Sequence, residues 1–177
     1  KYPEDAVTIA HLLNEKKIDF EMVIIGNGDK RELVQEMIAK YNLQSKINLY
    51  DFMTPLDIRI RMENSNVYLF TSGKQEGWGV VLNEAMNSGC VVLANNAAGS
   101  TPYLIENTFN GFSYHRSSQG SLEVVECMLH STSLSSISDN AYRTISDMWN
   151  PQKAAYNLIQ FVKANKVVTT DGPCSYA

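Results

Sequence analysis

Glu76 and Glu84 are separated by seven residues within S-G-K-Q-E-G-W-G-V-V-L-N-E-A, the stretch from Ser72 to Ala85. An ionised carboxylate accepts hydrogen bonds through two oxygens, which suits a vicinal diol, one hydroxyl to each oxygen. Gly77 and Gly79 allow backbone to approach a ligand with no Cβ in the way. A helix is expected to start here, so the N–H groups of Gly79, Val80 and Val81 lack intrahelical partners and form a natural phosphate site. Glu84 follows Gly79 by five residues, about 7–8 Å along a helix axis. That offset lets one carboxylate hold a hexose and the other a ribose, with a diphosphate between them. Carboxylates repel a bare phosphate, so the amides must carry that part. Plainer readings stand beside these. Glu76 alone reads as a solvated loop residue. Glu84 lies on a helix that looks apolar on most sides, where a buried carboxylate needs partners, and a structural ion pair would satisfy it.

These residues need elements to present them. Val67-Tyr68-Leu69-Phe70 is an apolar run that reads as a buried strand leading into the loop. Upstream, apolar spacing predicts a helix over roughly residues 3–16, with Pro3 in its first turn. A strand from Phe20 to Ile25 then ends in Gly26-Asn27-Gly28. Asp29 is placed to cap a helix running to about Tyr41. Ile47 to Tyr50 reads as a strand, and Thr54-Pro55 opens a helix to about Glu63. The helix of the central stretch covers roughly 79–88 and stops at Gly89. Val91 to Ala94 is a strand, Ser100-Thr101-Pro102 caps a short helix to about Glu106, and Phe112 to Tyr114 is a last strand. Helical segments at about 118–130, 135–148 and 152–164 follow and are expected to pack back on the sheet.

Alternating strands and helices predict an α/β fold: a doubly wound, mostly parallel Rossmann-like sheet with helices on both faces. The loops Gly26–Gly28, Thr71–Gly79 and Asn95–Thr101 all follow strands, so they gather at the carboxyl edge of the sheet, where ligands bind in open α/β folds. Residues 1–166 read as one domain and 167–177 as a tail without clear period. The chain starts at Lys1 without Met and at the edge of a helix. The expectation is therefore a fragment of a longer protein whose sheet lacks a first strand.

The 177 residues, 44% hydrophobic and 19% charged, suit one globular domain with a full core. A net charge of -4 and no basic stripe argue against a general nucleic-acid binder. Cys90, Cys127 and Cys174 have no metal-ligand spacing, and Cys90 reads as a small core residue in a reducing, cytoplasmic setting. His11, His115 and His130 are scattered, no Asp-x-Asp motif is present, and no metal is called for. Trp78, between the two glycines, is a candidate pocket wall.

Glu76-Gly77-Trp78-Gly79 followed by Glu84-Ala85-Met86 and Gly89 resembles the Glu-x7-Glu motif of retaining glycosyltransferases of family 4, which have the GT-B fold. The resemblance extends over nearly the whole chain as the C-terminal, donor-binding half. Gly26-Asn27-Gly28 matches the strand-end Gly-x-Gly, and Ile105-Glu106 with Asn110-Gly111 matches the usual helix and turn. It implies that Glu76 holds hydroxyls of the transferred sugar, Glu84 holds the ribose, and the helix N-terminus holds the diphosphate. It also implies that Lys1 neutralises the leaving group, where charge builds in the transition state. A terminal lysine is equally readable as a solvated charge. The candidate catalytic pair is thus Glu76 and Lys1. The donor-binding set is Glu84, Gly77, Trp78, Gly79, Val80, Val81, Gly26, Gly28, Ser72 and Gly99. The implied ligand is a UDP-, GDP- or ADP-sugar, with no further cofactor, and the implied partner is an N-terminal acceptor domain of the same protein. Through that half the full-length protein could sit at the inner face of a membrane. Tyr103 stands where the family has a glutamate after Gly-Gly-x-Pro.

Two other classes compete with this one. A non-enzymatic α/β module with a degenerate site fits poorly with an intact Glu76 and Glu84. An epimerase on the same fold stays open, whereas a phosphorylase would need a pyridoxal-phosphate lysine for which no context appears. A dinucleotide dehydrogenase is disfavoured because Gly26-Asn27-Gly28 lacks the third glycine of that fingerprint.

Overall fold

A computed structural model of the chain describes residues 1–164. Five short strands alternate with helices. They are β1 (Met22–Ile25), β2 (Ile47–Tyr50), β3 (Val67–Phe70), β4 (Val91–Asn95) and β5 (Phe112–Tyr114). The helices are α1 (Pro3–Glu15), α2 (Arg31–Lys40), α3 (Pro55–Glu63), α4 (Val80–Asn87), α5 (Thr101–Leu104), α6 (Ser118–His130), α7 (Leu134–Arg143) and α8 (Pro151–Ala164), with a π-helical segment at Thr144–Met148. Every strand pair is parallel.

The described strands form two sheets rather than the expected single one: among the described residues β1 pairs only with β2, and β3, β4 and β5 pair in that order. β4 is buried at every position because helices cover both of its faces. Val92 and Ala94 join Phe70, Leu82, Ala85 and Met86 under α4. Val91 and Leu93 join Ile9, Leu13, Phe112 and Val125 under α1 and α6. A third cluster holds Val7 and Ala10 of α1 against Val34, Ile38 and Ile47, with Met22 and Ile24 at its margin. Thus α1 packs across both sheets on one face, while α3, α4 and α7 lie on the other.

Thr54 caps α3 as its sequence predicts, accepting from the Asp57 N–H at 3.2 Å with Pro55 in the first turn. Asp29 is not a cap. A turn closed by Arg31 N–H on the Gly28 carbonyl moves the helix start to Lys30, whose φ of -96° and ψ of 5° are not the extended geometry of a side-chain cap. Ser100 likewise makes no cap, because it already has helical dihedrals. Thr101 Oγ1 instead donates to the Asn95 carbonyl at 2.9 Å. α6 and α7 do pack on the body of the protein, but α8 does not pack back on the sheet. Tyr156, Leu158, Ile159, Phe161 and Val162 are all exposed. The π-helical turn and Pro151 redirect the chain before α8 begins. Cys90 is buried, its thiol donating to the Met62 carbonyl at 3.2 Å, and Cys127 is exposed. The expected tail at 167–177, with Cys174, lies outside the described residues.

Candidate functional site

The loop after β3 turns back on itself, with Glu76 N–H bonded to the Gly73 carbonyl at 2.8 Å. This brings the Glu76 carboxylate over Ser72. Ser72 Oγ, buried, donates to Glu76 Oε2 at 3.2 Å, and Lys1 Nζ lies 3.4 Å from the same oxygen. Lys1, Tyr2, Ser72, Gly73, Gln75 and Glu76 line a cavity of about 190 Å³ at the carboxyl end of β3.

The backbone around Glu76 is held by the loop after β4. Gly99 N–H donates to the Glu76 carbonyl at 3.3 Å and Ser100 N–H to the Trp78 carbonyl at 3.2 Å. Gly99 has to be glycine for this contact, since a Cβ there would collide with the Gly77 carbonyl. Gly79 begins α4 in the left-handed region, φ 80° and ψ 64°, and a Cβ would run into the Phe70 ring. No side chain among the described residues caps α4, and of its first-turn N–H groups Leu82's is taken by the Gly79 carbonyl at 2.9 Å, which leaves those of Val80 and Val81. Val80 is exposed and Val81 half-buried beside them.

Glu84 departs from its expected burial. It projects to solvent from α4, and no ion pair to it forms among the described residues. Residue 84 falls between Ala85 and Met86, which face the core, and the outer surface of the helix, and eight residues give too few turns to see this by pattern alone. Both carboxylates nevertheless act on one group. The hydroxyl of Tyr68 is pushed well above its usual range, first by burial, then by the negative charge of Glu84, with that of Glu76 adding to it.

Trp78 is half-buried and its ring packs on neighbours: Tyr103 with ring centroids 5.8 Å apart and Trp149 at 5.3 Å, while its indole N–H donates to Asn83 Oδ1 at 2.9 Å. Tyr103, in the glutamate's place, is thus part of an aromatic group. Gly26 and Gly28 lie in the loop after β1, which Arg31 braces by donating to the Gly26 carbonyl at 3.1 Å and pairing with Asp51 at 3.1 Å. That loop and the Glu76 loop are joined through α1. Glu4 pairs with Lys30 and with Arg116 (3.2 Å), Asp5 pairs with Arg116 (2.8 Å), and the Tyr2 ring carries Arg116 at 3.8 Å and Lys30 at 4.9 Å from its centroid. Sequence reading passed over Tyr2, Lys30, Tyr68 and Arg116, because what they share is proximity across long stretches of chain. Burial pushes Asp5 above the usual carboxylate value despite the Arg116 bond. Among the described residues no group of His, Cys, Asp and Glu could hold a metal ion. Among the described residues no helix is long and apolar enough to cross a membrane.

The sequence of residues 1–143, which carries these strands and loops, matches a family profile described as glycosyl transferases group 1. The chain belongs to that family. An uncharacterized glycosyltransferase of Bacillus subtilis, YqgM, is 23% identical over 96 residues, covering 54% of this chain and 26% of the relative. The chain therefore spans about a quarter of that relative's length. Among solved structures, the C-terminal domain of the group 1 protein LpcC from Francisella tularensis superposes with a TM-score of 0.74 at 24% identity, covering 86% of this chain and 81% of that one. Anabaena Alr3699/HepE in complex with UDP and glucose gives 0.71 at 20% identity, covering 90% of this chain and 44% of that one. These likenesses give the group 1 domain the Rossmann-like fold of GT-B glycosyltransferases.

Proposed function

We propose that this group 1 domain is the donor-binding half of a retaining, family 4 glycosyltransferase that moves a hexose from a nucleoside-diphosphate sugar to a glycan or lipid-linked acceptor. The observation that carries the reading is the Lys1–Glu76–Ser72 constellation beside the open N-terminus of α4. Glu76 holds hydroxyls of the sugar, and Ser72 fixes its orientation. The Val80 and Val81 amides hold the diphosphate, and Lys1, an exposed cation already at the site, leaves Glu76 to neutralise the phosphate charge as it departs. Exposed Glu84 has both oxygens free to accept the ribose hydroxyls. Gly26, Gly28, Gly77 and Gly99 keep the rim open or close-packed, and Trp78 stiffens it from behind.

A cavity of about 190 Å³ is too small for a whole nucleotide sugar, since sites for ligands of that size run to roughly 300–1,000 Å³. It suits one sugar or one phosphate, with the rest of the donor along the open carboxyl edge. That argues for a cleft closed by another domain, an N-terminal acceptor domain of the same protein. Structural neighbours crystallised with UDP or UDP-glucose favour a uridine donor as the first to try.

Calorimetry with UDP, GDP and ADP on the wild type and on Glu84→Ala tests the reading. At least one nucleotide is expected to bind, and Glu84→Ala is expected to weaken it by about tenfold or more, the loss of charge-assisted hydrogen bonds. If none of the three binds, the donor reading fails. If Glu84→Ala binds equally well, its ribose role fails.

A further inference from the structure

Asparagine followed by glycine occurs twice in the chain, at Asn27-Gly28 and at Asn110-Gly111. Such a pair is chemically labile. The nitrogen of the next residue can reach the asparagine amide carbon, and glycine puts no Cβ in the way. The fold treats the two pairs differently. Asn110 is fully buried, and both ends of its amide are held. Oδ1 accepts from the Glu106 N–H at 2.8 Å, while Nδ2 donates to the Leu104 carbonyl at 2.8 Å and to Thr144 Oγ1 at 2.9 Å. Turning that amide toward Gly111 would break these bonds and leave buried polar groups unpaired. Gly111 is itself packed so closely on Val92 that a Cβ there would collide with it.

Asn27-Gly28 is open instead. The chain leaves the sheet at Gly26, whose N–H still bonds the Tyr50 carbonyl at 2.9 Å. Asn27 and Gly28, the next two residues, are both exposed. Among the described residues neither the Asn27 side chain nor the Gly28 N–H has a hydrogen-bond partner, although the Gly28 carbonyl is fixed by the Arg31 N–H at 2.9 Å. A Cβ at Gly28 would meet nothing within 4 Å. Asn27 and Gly28 line a cavity of about 580 Å³ together with Asp29, Arg31, Glu32 and Gln35, so water reaches the pair. Attacking nitrogen, amide carbon and water are all accessible here, and at Asn110 none of the amide is.

We propose that Asn27 is a self-modification site, at which the folded protein deamidates to aspartate and isoaspartate while Asn110 is spared. The Gly28 nitrogen, on losing its proton to base, attacks Asn27 Cγ. A bond from that nitrogen to Cγ forms as the Cγ–Nδ2 bond breaks, and Nδ2 takes up a proton and leaves as ammonia. Water then opens the cyclic imide at one of its carbonyls. Attack at Cγ restores the original backbone and leaves aspartate. Attack at the main-chain carbonyl of residue 27 leaves isoaspartate, with the chain running through Cβ and Cγ. Nothing is oxidised or reduced, and water is the co-reactant. Either product adds a negative charge to a cavity wall that already carries Asp29 and Glu32. It stands beside Arg31, which braces the Gly26 carbonyl and pairs with Asp51. Isoaspartate also adds a methylene to the backbone immediately ahead of the turn that starts α2.

The test holds the folded 177-residue chain in mildly alkaline buffer and samples it over time. Samples are digested in acid, where the attack stops, and the peptides are followed by mass spectrometry with chromatographic separation of the two acidic products. Asn27→Asp marks the elution position of the aspartate form. In the folded protein Asn27 should convert at least about tenfold faster than Asn110, and in concentrated urea the two rates should come within about threefold of each other. The rate at Asn27 should rise with pH, because the attacking nitrogen must lose its proton. Gly28→Ala, whose Cβ has open space in the fold but crowds the attacking nitrogen, should slow Asn27 by about tenfold or more. An Asn27 that stays intact in the folded chain, or that converts no faster than Asn110, overturns the proposal. So does unchanged conversion in Gly28→Ala, which would assign the reaction to direct hydrolysis by water rather than to the backbone.

Discussion

Glu76 owes its position to small residues more than to other charges. Gly79 holds a left-handed backbone against the Phe70 ring, and Gly99 lies on the Gly77 carbonyl. Gly79→Ala is expected to cost about 1–3 kcal/mol, read from urea unfolding, because a Cβ is both strained at that φ and blocked. A loss below about 0.5 kcal/mol would show that the loop has an alternative path. Asp5 offers a pH signature. Its carboxyl is raised by burial, so the folded state binds that proton more tightly than the unfolded chain does. Its contribution to stability is fully present below the ordinary value of 3.8 and is lost as pH rises through the raised one. Urea unfolding of wild type and Asp5→Asn across this acid range should show the wild type's relative stability falling as pH rises. A difference that does not change with pH would mean that Arg116 cancels the burial. Arg116 itself is raised by the same bond, stays charged across this range and adds no slope. The residue types at the site were legible in the sequence: Glu76, Ser72 and the glycines lie together within one loop. Arg116 and Tyr2 were not, since they meet only after the ends of β3, β5 and α1 come together.

At the scale of elements, the strands and most helix boundaries follow from local chemistry. Thr54-Pro55 starts α3 and Gly89, at φ 79°, ends α4. Caps that depend on the chain's path do not follow from local chemistry. Asp29 and Ser100 have the right side chains, but neighbouring turns give their backbones the wrong dihedrals. α4 and α8 show how different two apolar helices can be. α4 buries Leu82, Ala85 and Met86 completely, whereas α8 leaves Leu158 and Val162 open. Leu82→Ala should therefore cost about 2–5 kcal/mol. Leu158→Ser and Val162→Ser should each stay within about 0.5 kcal/mol of wild type, the range of exposed sites. Denaturant midpoints of the three variants check the contrast, and a large loss at Leu158 would mean that α8 is covered in solution.

At the scale of the molecule, the proposed donor site has no opposing wall among the described residues. The 177-residue chain is expected to transfer no sugar from any of the three nucleotide donors to an added acceptor, measured by release of nucleoside diphosphate above the spontaneous rate. Robust transfer by this chain alone would overturn the half-cleft reading. The α/β class, the parallel strands and the loop that carries Glu76 were determined by the sequence by itself, because alternation of apolar runs, glycines after strands and proline at helix starts are local rules. Exposure of α8, exposure of Glu84, the Tyr2–Arg116–Asp5 group and the division of the strands into two sheets were decided only by tertiary structure. Each of those depends on which surfaces meet, and surfaces that meet come from residues far apart in the chain. Glu76 and Glu84 belong to both accounts: their spacing is written in one loop and one helix, but only the folded chain brings both to bear on Tyr68 and leaves Glu84 open to solvent.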